Sequence, residues 1–341
     1  MPSFSSHRGR SSGVWHAESP PRAASRCTTS HEPRGLPLSP PPTPLERAPE
    51  ALAGGRALYF KREDLHELGA FKWRGALPTI EVFRGRGASA VVTASTGNHG
   101  AAVAWASRLK GIRAVVYAPI GASRAKLELI RTLGAEVRLA GDDLDVAKEE
   151  GKRFAEREKL PFFEDGLEPT QREGYGAIAD EILGQIAEPP AAVVVPVGNG
   201  ALIAGIGQTF RRRSPGTRVV GVAAKEAPVM ALSFQAHRPV ECNRMATFAD
   251  GLAVRVAIPG AVEMLNRVVD RMLLVSERQI ARAIGEFARR AIRVEGAAAA
   301  GLAALRELSD VAGPVVLVVT GRNIDEPVHR RAVEQPESFP D

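Results

Sequence analysis

The strongest constraint on this chain is an alternation, from Leu58 to Thr320, of short apolar runs with longer segments of helical periodicity. The runs are Leu58–Arg62, Ala90–Ala94, Ala114–Ala118, Glu136–Leu139, Ala191–Pro196, Val219–Ala223, Met272–Val275 and Val315–Thr320. Several are apolar almost throughout, as strands covered on both faces by crossover helices must be. Helical patterns lie between them, over Gly100–Lys110, Arg124–Leu133, Tyr175–Gln185, Glu277–Ile292 and Ala297–Leu308. The pattern predicts an α/β fold of open, mostly parallel sheets with helices on both faces.

At roughly 150 residues per domain, 341 residues suit two domains or one large one. Residues 1–43 stand apart, rich in Ser, Arg and Pro and ending near Pro40–Pro42. Such a stretch buries too little apolar surface to offset its ordering entropy, which predicts a disordered tail and a fold that starts near Thr43. Its scarcity of acidic residues also suits an organelle transit peptide, or a start codon placed too early. No apolar run reaches the ~18 residues of a membrane span, and the first thirty residues hold no continuous apolar signal core. Two cysteines, Cys27 and Cys242, make no disulfide framework and no metal knuckle, so a reducing, cytoplasmic compartment is expected. The net charge of +6 comes as short arginine clusters without interleaved aromatics. That reads as a solvated basic face and not as a nucleic-acid surface.

In open α/β sheets ligands sit beyond the carboxyl ends of the strands, so the loops there carry the functional information. After Val193–Pro196, Gly198 and Gly200 open a tight turn and a helix starts near Ala201. A glycine turn into a helix start suits a phosphate, and is also an ordinary strand-to-helix connection. Ile203 replaces the third glycine of a dinucleotide fingerprint, and no Lys-Ser/Thr ending follows. In Ser95-Thr96-Gly97-Asn98-His99-Gly100, donors gather at a helix start. They either clamp a carboxylate or cap the helix. In Gly69-Ala70-Phe71-Lys72-Trp73-Arg74-Gly75-Ala76 a lysine stands between two aromatics. Lysine desolvated by apolar neighbours forms Schiff bases, though a helix lysine can also snorkel past them.

These three segments, with Lys61-Arg62-Glu63-Asp64-Leu65 before them and Thr320-Gly321-Arg322-Asn323 after, resemble the fold-type-II pyridoxal-phosphate enzymes. Within that group the similarity is to serine/threonine dehydratases (ammonia-lyases) and serine racemases, and it runs from about Thr43 to Asp325. The resemblance implies a two-domain, tryptophan-synthase-β-like fold. Residues 44–86 and 178–341 would form a large cofactor-binding domain, and residues 87–177 a small one. It implies pyridoxal 5'-phosphate as cofactor, a small amino acid as substrate and a homodimer, with neither nucleic acid nor membrane as partner.

Carried over by matching residues, Lys72 is the Schiff-base lysine, Phe71 lines the cofactor ring and Asn98 bonds its 3′-oxygen. Ser95, Thr96, Gly97 and His99 grip the substrate carboxylate. Gly198, Asn199, Gly200, Ala201 and Leu202 form the phosphate cup, with Asn199 and Ala201 departing from the usual glycines, so that Ala201 needs a permissive backbone. Thr320 meets the pyridine nitrogen, a neutral partner that suits elimination. Glu295 matches a glutamate near the cofactor, or else is a solvated carboxylate at a helix start. Lys72 then serves as the base at Cα and the products are a 2-oxo acid and ammonia. Thr96 stands where racemases carry a serine acid/base, so it either supports racemisation, binds substrate or caps its helix. No metal is assigned, because Ala223 stands where racemase-like relatives place a glutamate. The segment Asp325–Asp341 is too short for an effector domain.

Three alternatives remain at this point. A threonine-synthase-like lyase acting on a phosphorylated substrate is suggested by Glu173-Gly174-Tyr175 and the Pro196–Gly200 run, and opposed by His99. The others are an amino-acid racemase and a non-catalytic binder on an enzyme scaffold.

Overall fold

In the computed structural model, residues 40–341 are described. The tail expected over residues 1–43 lies outside them up to residue 39, and Thr43 itself is buried and belongs to the fold. Residues 41–341 form one compact unit.

Every predicted apolar run becomes a strand, with ends shifted by at most one residue. Among the described residues the nine strands are β1 (Leu45–Arg47), β2 (Leu58–Arg62), β3 (Ala90–Ala94), β4 (Arg113–Ala118), β5 (Glu136–Leu139), β6 (Ala192–Pro196), β7 (Arg218–Ala224), β8 (Arg271–Val275) and β9 (Val315–Val319). They build a six-stranded sheet in the order β1-β2-β9-β6-β7-β8 and a three-stranded sheet β3-β4-β5. All pairings are parallel except β1 with β2. The short edge strand β1, Leu-Glu-Arg, has no alternation of its own and was not predicted.

Strands that are apolar on successive residues do feed two cores. Val193, Val195, Val316 and Val318 face one cluster, while Ala192, Val194, Val315, Leu317 and Val319 face another. The small sheet repeats the device, with Val91 and Val116 on one side and Val92, Val115 and Tyr117 on the other. Each valine so buried contributes about 1.5–3 kcal/mol. The register Val194↔Leu317 with Arg62↔Val319 brings β2, β9 and β6 to an end at one level. The loops that leave there converge.

One polar cluster sits inside this apolar frame. Arg74 donates from Nε to Glu63 at 2.6 Å and from both terminal nitrogens to Glu181 at 2.7 Å. Lys61, fully buried, donates to Glu181 at 2.5 Å and to the carbonyl of Thr43 at 2.6 Å. Buried charges persist only when paired this completely, because an orphaned one is strongly destabilising. The cluster roots the helix Trp73–Gly85, and with it Lys72, against the large sheet.

Candidate active site

A cavity of about 440 Å³ opens at the carboxyl ends of β3, β6 and β9. Lys72, Phe71, Ser95, Thr96, Gly97, Asn98, His99, Gly198, Asn199, Gly200, Leu202, Glu295 and Thr320 all line it. Of the predicted site residues, only Ala201 does not. It is buried, starts the helix Ala201–Arg213 and carries no unusual backbone, since the positive φ of +89° falls on Gly200. Its N–H is already taken by Asn199 Oδ1 at 3.1 Å. The departure from glycine at Ala201 therefore costs no strain.

The glycines of that turn are needed for space. A Cβ on Gly198 would lie 2.3 Å from the carbonyl oxygen of Gly251, and one on Gly200 would meet Leu265 and Met230. What remains is a shallow cradle at the start of a helix, where N–H groups and the dipole favour an anion.

Lys72 immediately precedes the Trp73–Gly85 helix, as its N-cap. Its Nζ lies 5.2 Å from the centre of the Phe71 ring, but Trp73 is not the second wall predicted from sequence. Trp73 turns into the neighbouring core, stacked on His66 at 4.6 Å and capped by the Arg74 guanidinium. Phe71 precedes the N-cap and Trp73 is the first helical residue, and the two side chains pack into different cores. Instead, Lys72 Nζ donates to Asp165 Oδ2 at 2.6 Å. Burial works against a charge on Asp165, yet the Lys72 ammonium outweighs it and holds that carboxyl well below the usual carboxylate range.

Asp165 was missed in the sequence. It follows Phe162 and Phe163, and Phe162 forms a single parallel bridge to Val92 of β3, flanked by hydrogen bonds from Val92 N–H to Pro161 O and from Phe163 N–H to Val92 O. Asp165 thus leaves the sheet at the same end as Ser95. The signal was an apolar pair followed by Glu-Asp-Gly, too short to read as a strand.

The helix Asn98–Lys110 has Gly97 as its N-cap and no side-chain cap; Ser95 Oγ instead accepts from Gly97 N–H at 3.2 Å. The capping alternative for Ser95 and Thr96 is not realised, and the free N–H groups face the cavity. His99 is turned inward. Its Nε2 lies 3.1 Å from Thr93 Oγ1, its ring meets Phe163 edge-on, and burial lowers its pKa.

Asn98 Nδ2 donates to Glu295 at 3.0 Å, and Asn98 Oδ1 accepts from Asn323 Nδ2 at 2.8 Å. Glu295 is buried, not the solvated carboxylate of the alternative reading, and burial pushes its carboxyl up to about 7. The backbone of Thr320 and Gly321 gathers these parts: Phe71 N–H donates to Thr320 O and Glu295 N–H to Gly321 O, each at 3.0 Å. Thr320 Oγ1, itself buried, has no partner among the described residues. On the far wall Lys126 is paired with Asp250 at 2.8 Å and Asp325 at 3.3 Å.

A buried hydroxyl without a partner among the described residues, a lysine lining the same cavity, and an anion cradle that a Cβ would fill fit the donor set pyridoxal phosphate requires. The comparisons agree. The family described as pyridoxal-phosphate dependent enzyme matches residues 37–321. An L-threonine ammonia-lyase of Thermotoga maritima is 37% identical over 274 residues, covering 80% of this chain and 68% of that protein. The processed form of threonine deaminase isoform 2 from Solanum lycopersicum superposes with a TM-score of 0.81 at 31% identity, over 86% of this chain and 87% of that one. Maize serine racemase gives 0.79 at 27% identity, over 85% and 91%. The chain belongs to the pyridoxal-phosphate dependent enzymes, of fold type II.

Proposed function

We propose that the chain is an ammonia-lyase that removes the β-substituent of a small amino acid of the L-threonine or L-serine type, yielding a 2-oxo acid and ammonia. The observation that carries this reading is the meeting of Lys72, the uncapped Asn98–Lys110 helix start and the partnerless Thr320 hydroxyl on one cavity wall. Bound pyridoxal phosphate supplies an electron sink for the charge left at the substrate's Cα. Lys72 Nζ takes the proton from Cα as general base. Ser95, Gly97 and the free N–H groups of the helix hold the carboxylate. Gly198 to Gly200 would seat the phosphate, and Thr320 Oγ1 would offer the ring nitrogen a neutral partner. Glu295 and Asn323 between them fix the Asn98 amide, which would hold the ring oxygen.

Thr96 lines the same cavity with its hydroxyl free of the helix cap, which supports a substrate-facing role. Chiral analysis of unreacted L-serine tests whether that role extends to racemisation; unchanged enantiomeric purity rules it out. The same reading takes the enzyme to be a cytoplasmic homodimer. Cys242 is a free thiol, in keeping with a reducing compartment, and light scattering tests the dimer.

The deciding experiment is the visible spectrum of purified holoenzyme before and after borohydride, followed by peptide mass spectrometry. An adduct on Lys72, with release of ammonia and 2-oxo acid from threonine or serine, is the expected result. An adduct on another side chain, or none, overturns the reading.

A further inference from the structure

Lys72 Nζ makes one hydrogen bond among the described residues, and its acceptor is Asp165 Oδ2 at 2.6 Å. That carboxylate is built into place from several sides. Its Oδ1 accepts from Gln171 Nε2 at 2.7 Å, and the same nitrogen donates to the Tyr175 hydroxyl at 2.9 Å. Gln171 Oε1 accepts from Gly166 N–H at 2.7 Å, so one fully buried amide grips the Asp165 side chain and the backbone that follows it. The carbonyl of Asp165 accepts from Asn199 Nδ2 at 3.2 Å, which ties it to the glycine turn. Two glycines leave the space for these contacts. A Cβ on Gly75, in the helix that Lys72 caps, would lie 2.5 Å from Gln171 Cγ, and one on Gly166 would lie 2.8 Å from Asn199 Nδ2. The titratable neighbours bring no rival cation. His99 Nδ1 is 3.5 Å from Oδ1, but burial disfavours the charged imidazole, and burial likewise keeps the Tyr175 phenol protonated. The side chains of Lys72 and Asp165 are 15% and 29% exposed, so water screens the pair only in part.

We propose that Asp165 is a positioning residue for the reaction, receiving Lys72 Nζ when the lysine is free of the cofactor and stabilising the ammonium that proton abstraction creates. This rests on the β-elimination reading above and adds to it a residue outside every motif of the sequence. Lys72 Nζ is a neutral amine when it takes the proton and an ammonium once it holds it. The Cα–H bond breaks, the Nζ lone pair forms the new N–H bond, and the C–H electron pair stays with the substrate. Positive charge therefore appears on Nζ inside the cavity. Asp165 takes no proton and stays an anion, since Gln171 donates to its ionised form. An opposite charge already in place where charge develops lowers the barrier to forming it. The same contact keeps the flexible lysine stem from swinging away from Cα. The ammonium then gives its proton to solvent before Nζ bonds again to a carbonyl carbon, and Asp165 ends the cycle unchanged.

The test is D165N holoenzyme, which keeps the shape of the side chain and removes its charge, assayed with the faster of L-threonine and L-serine. Its kcat should fall by about 10- to 100-fold, the worth of one charge-assisted bond. KM should change by less than about threefold, because the lost contact is with Lys72. With substrate deuterated at Cα, the isotope effect on kcat should exceed the wild type's, since proton abstraction then limits turnover. A second measurement needs no cofactor. In the apoprotein K72M leaves the carboxylate without its cation and should lower the Tm by roughly 5 °C. Adding D165N to K72M should restore most of that loss. A D165N enzyme with wild-type kcat, or with a lowered kcat and an unmoved isotope effect, overturns this inference and leaves the elimination standing. Equal Tm values for K72M and K72M/D165N overturn it too. No adduct on Lys72 and no turnover of threonine or serine overturn the elimination reading itself, and the apoprotein melts still decide whether Asp165 holds Lys72.

Discussion

Asn323 donates its side-chain amide to Asn98 Oδ1 across 2.8 Å, joining two residues 225 apart in sequence. Because Glu295 accepts from the other end of the same amide, Asn98 is held from both sides and its orientation is fixed. Asn323 also donates to the carbonyl of Leu68, so it braces the loop that precedes Lys72. In N323A the Asn98 amide is released to turn. Each lost neutral bond is worth about 0.5–1.5 kcal/mol. The expected outcome is a kcat/KM lowered about tenfold, the kinetic equivalent of ~1.4 kcal/mol, with the cofactor still attached to Lys72. Steady-state assays together with the visible spectrum check this.

Thr320→Val should act in opposite directions on the two forms of the enzyme. Its hydroxyl is buried and has no partner among the described residues. Removing such a group stabilises the apoprotein by about 1 kcal/mol. With cofactor present the hydroxyl gains its partner, so the variant should bind pyridoxal phosphate more weakly. Thermal melts of both forms read out the two signs, and a variant that destabilises the apoprotein would contradict the assignment.

Gly198→Ala tests the cradle. The added methyl meets the Gly251 carbonyl oxygen at 2.3 Å, and backbone cannot swing aside as a long side chain does. Overpacking of this kind costs about 1–3 kcal/mol. We expect a lowered Tm and a cofactor affinity at least about tenfold weaker, measured by equilibrium titration of apoprotein. Ala201→Gly, by contrast, changes a helix start outside the cavity and should leave cofactor affinity near the wild-type value.

The pH dependence of apoprotein stability should expose Glu295. Burial raises its carboxyl from an ordinary 4.5 to about 7, so the folded state holds the proton more tightly than the unfolded chain. That stabilising contribution is complete below about pH 4.5 and is lost as pH rises through 7. At 1.36 kcal/mol per unit, the loss is roughly 3 kcal/mol. Glu295→Gln removes the titration while Gln can still accept from Asn98. Its Tm should therefore fall less than the wild type's between pH 5 and pH 8.5, and parallel curves would refute the assignment.

How much of this was legible in the sequence depends on the range of the interaction responsible. β6 and β9 could be read almost residue for residue, because burial on both faces leaves a continuous apolar run. β1 could not, since three residues at a sheet edge carry no period. The turn at Gly198–Gly200 and the Asn98 loop were visible as local motifs, and both line the cavity. Asp165 was not visible, because what makes it matter is a salt bridge to a lysine 93 positions away and a single bridge from Phe162 to the small sheet. Trp73 failed for the opposite reason. Adjacency to Lys72 in sequence suggested a shared environment, but Phe71, before the N-cap, and Trp73, the first helical residue, pack into different cores.

The ion cluster around Arg74 has a consequence for where this protein can be shortened. Lys61 and Gln185 both donate to the main-chain carbonyl of Thr43, and the hydroxyl of that same threonine is wedged between Glu63 and Arg74. A carbonyl cannot be restored by choosing a different side chain. Any trimmed version that starts beyond Thr43 takes one acceptor from a fully buried lysine ammonium, one residue from β2's end, and leaves it on Glu181 and Gln185 alone. Thr43 is thus the innermost point at which an amino terminus can be cut without loosening the footing of Lys72.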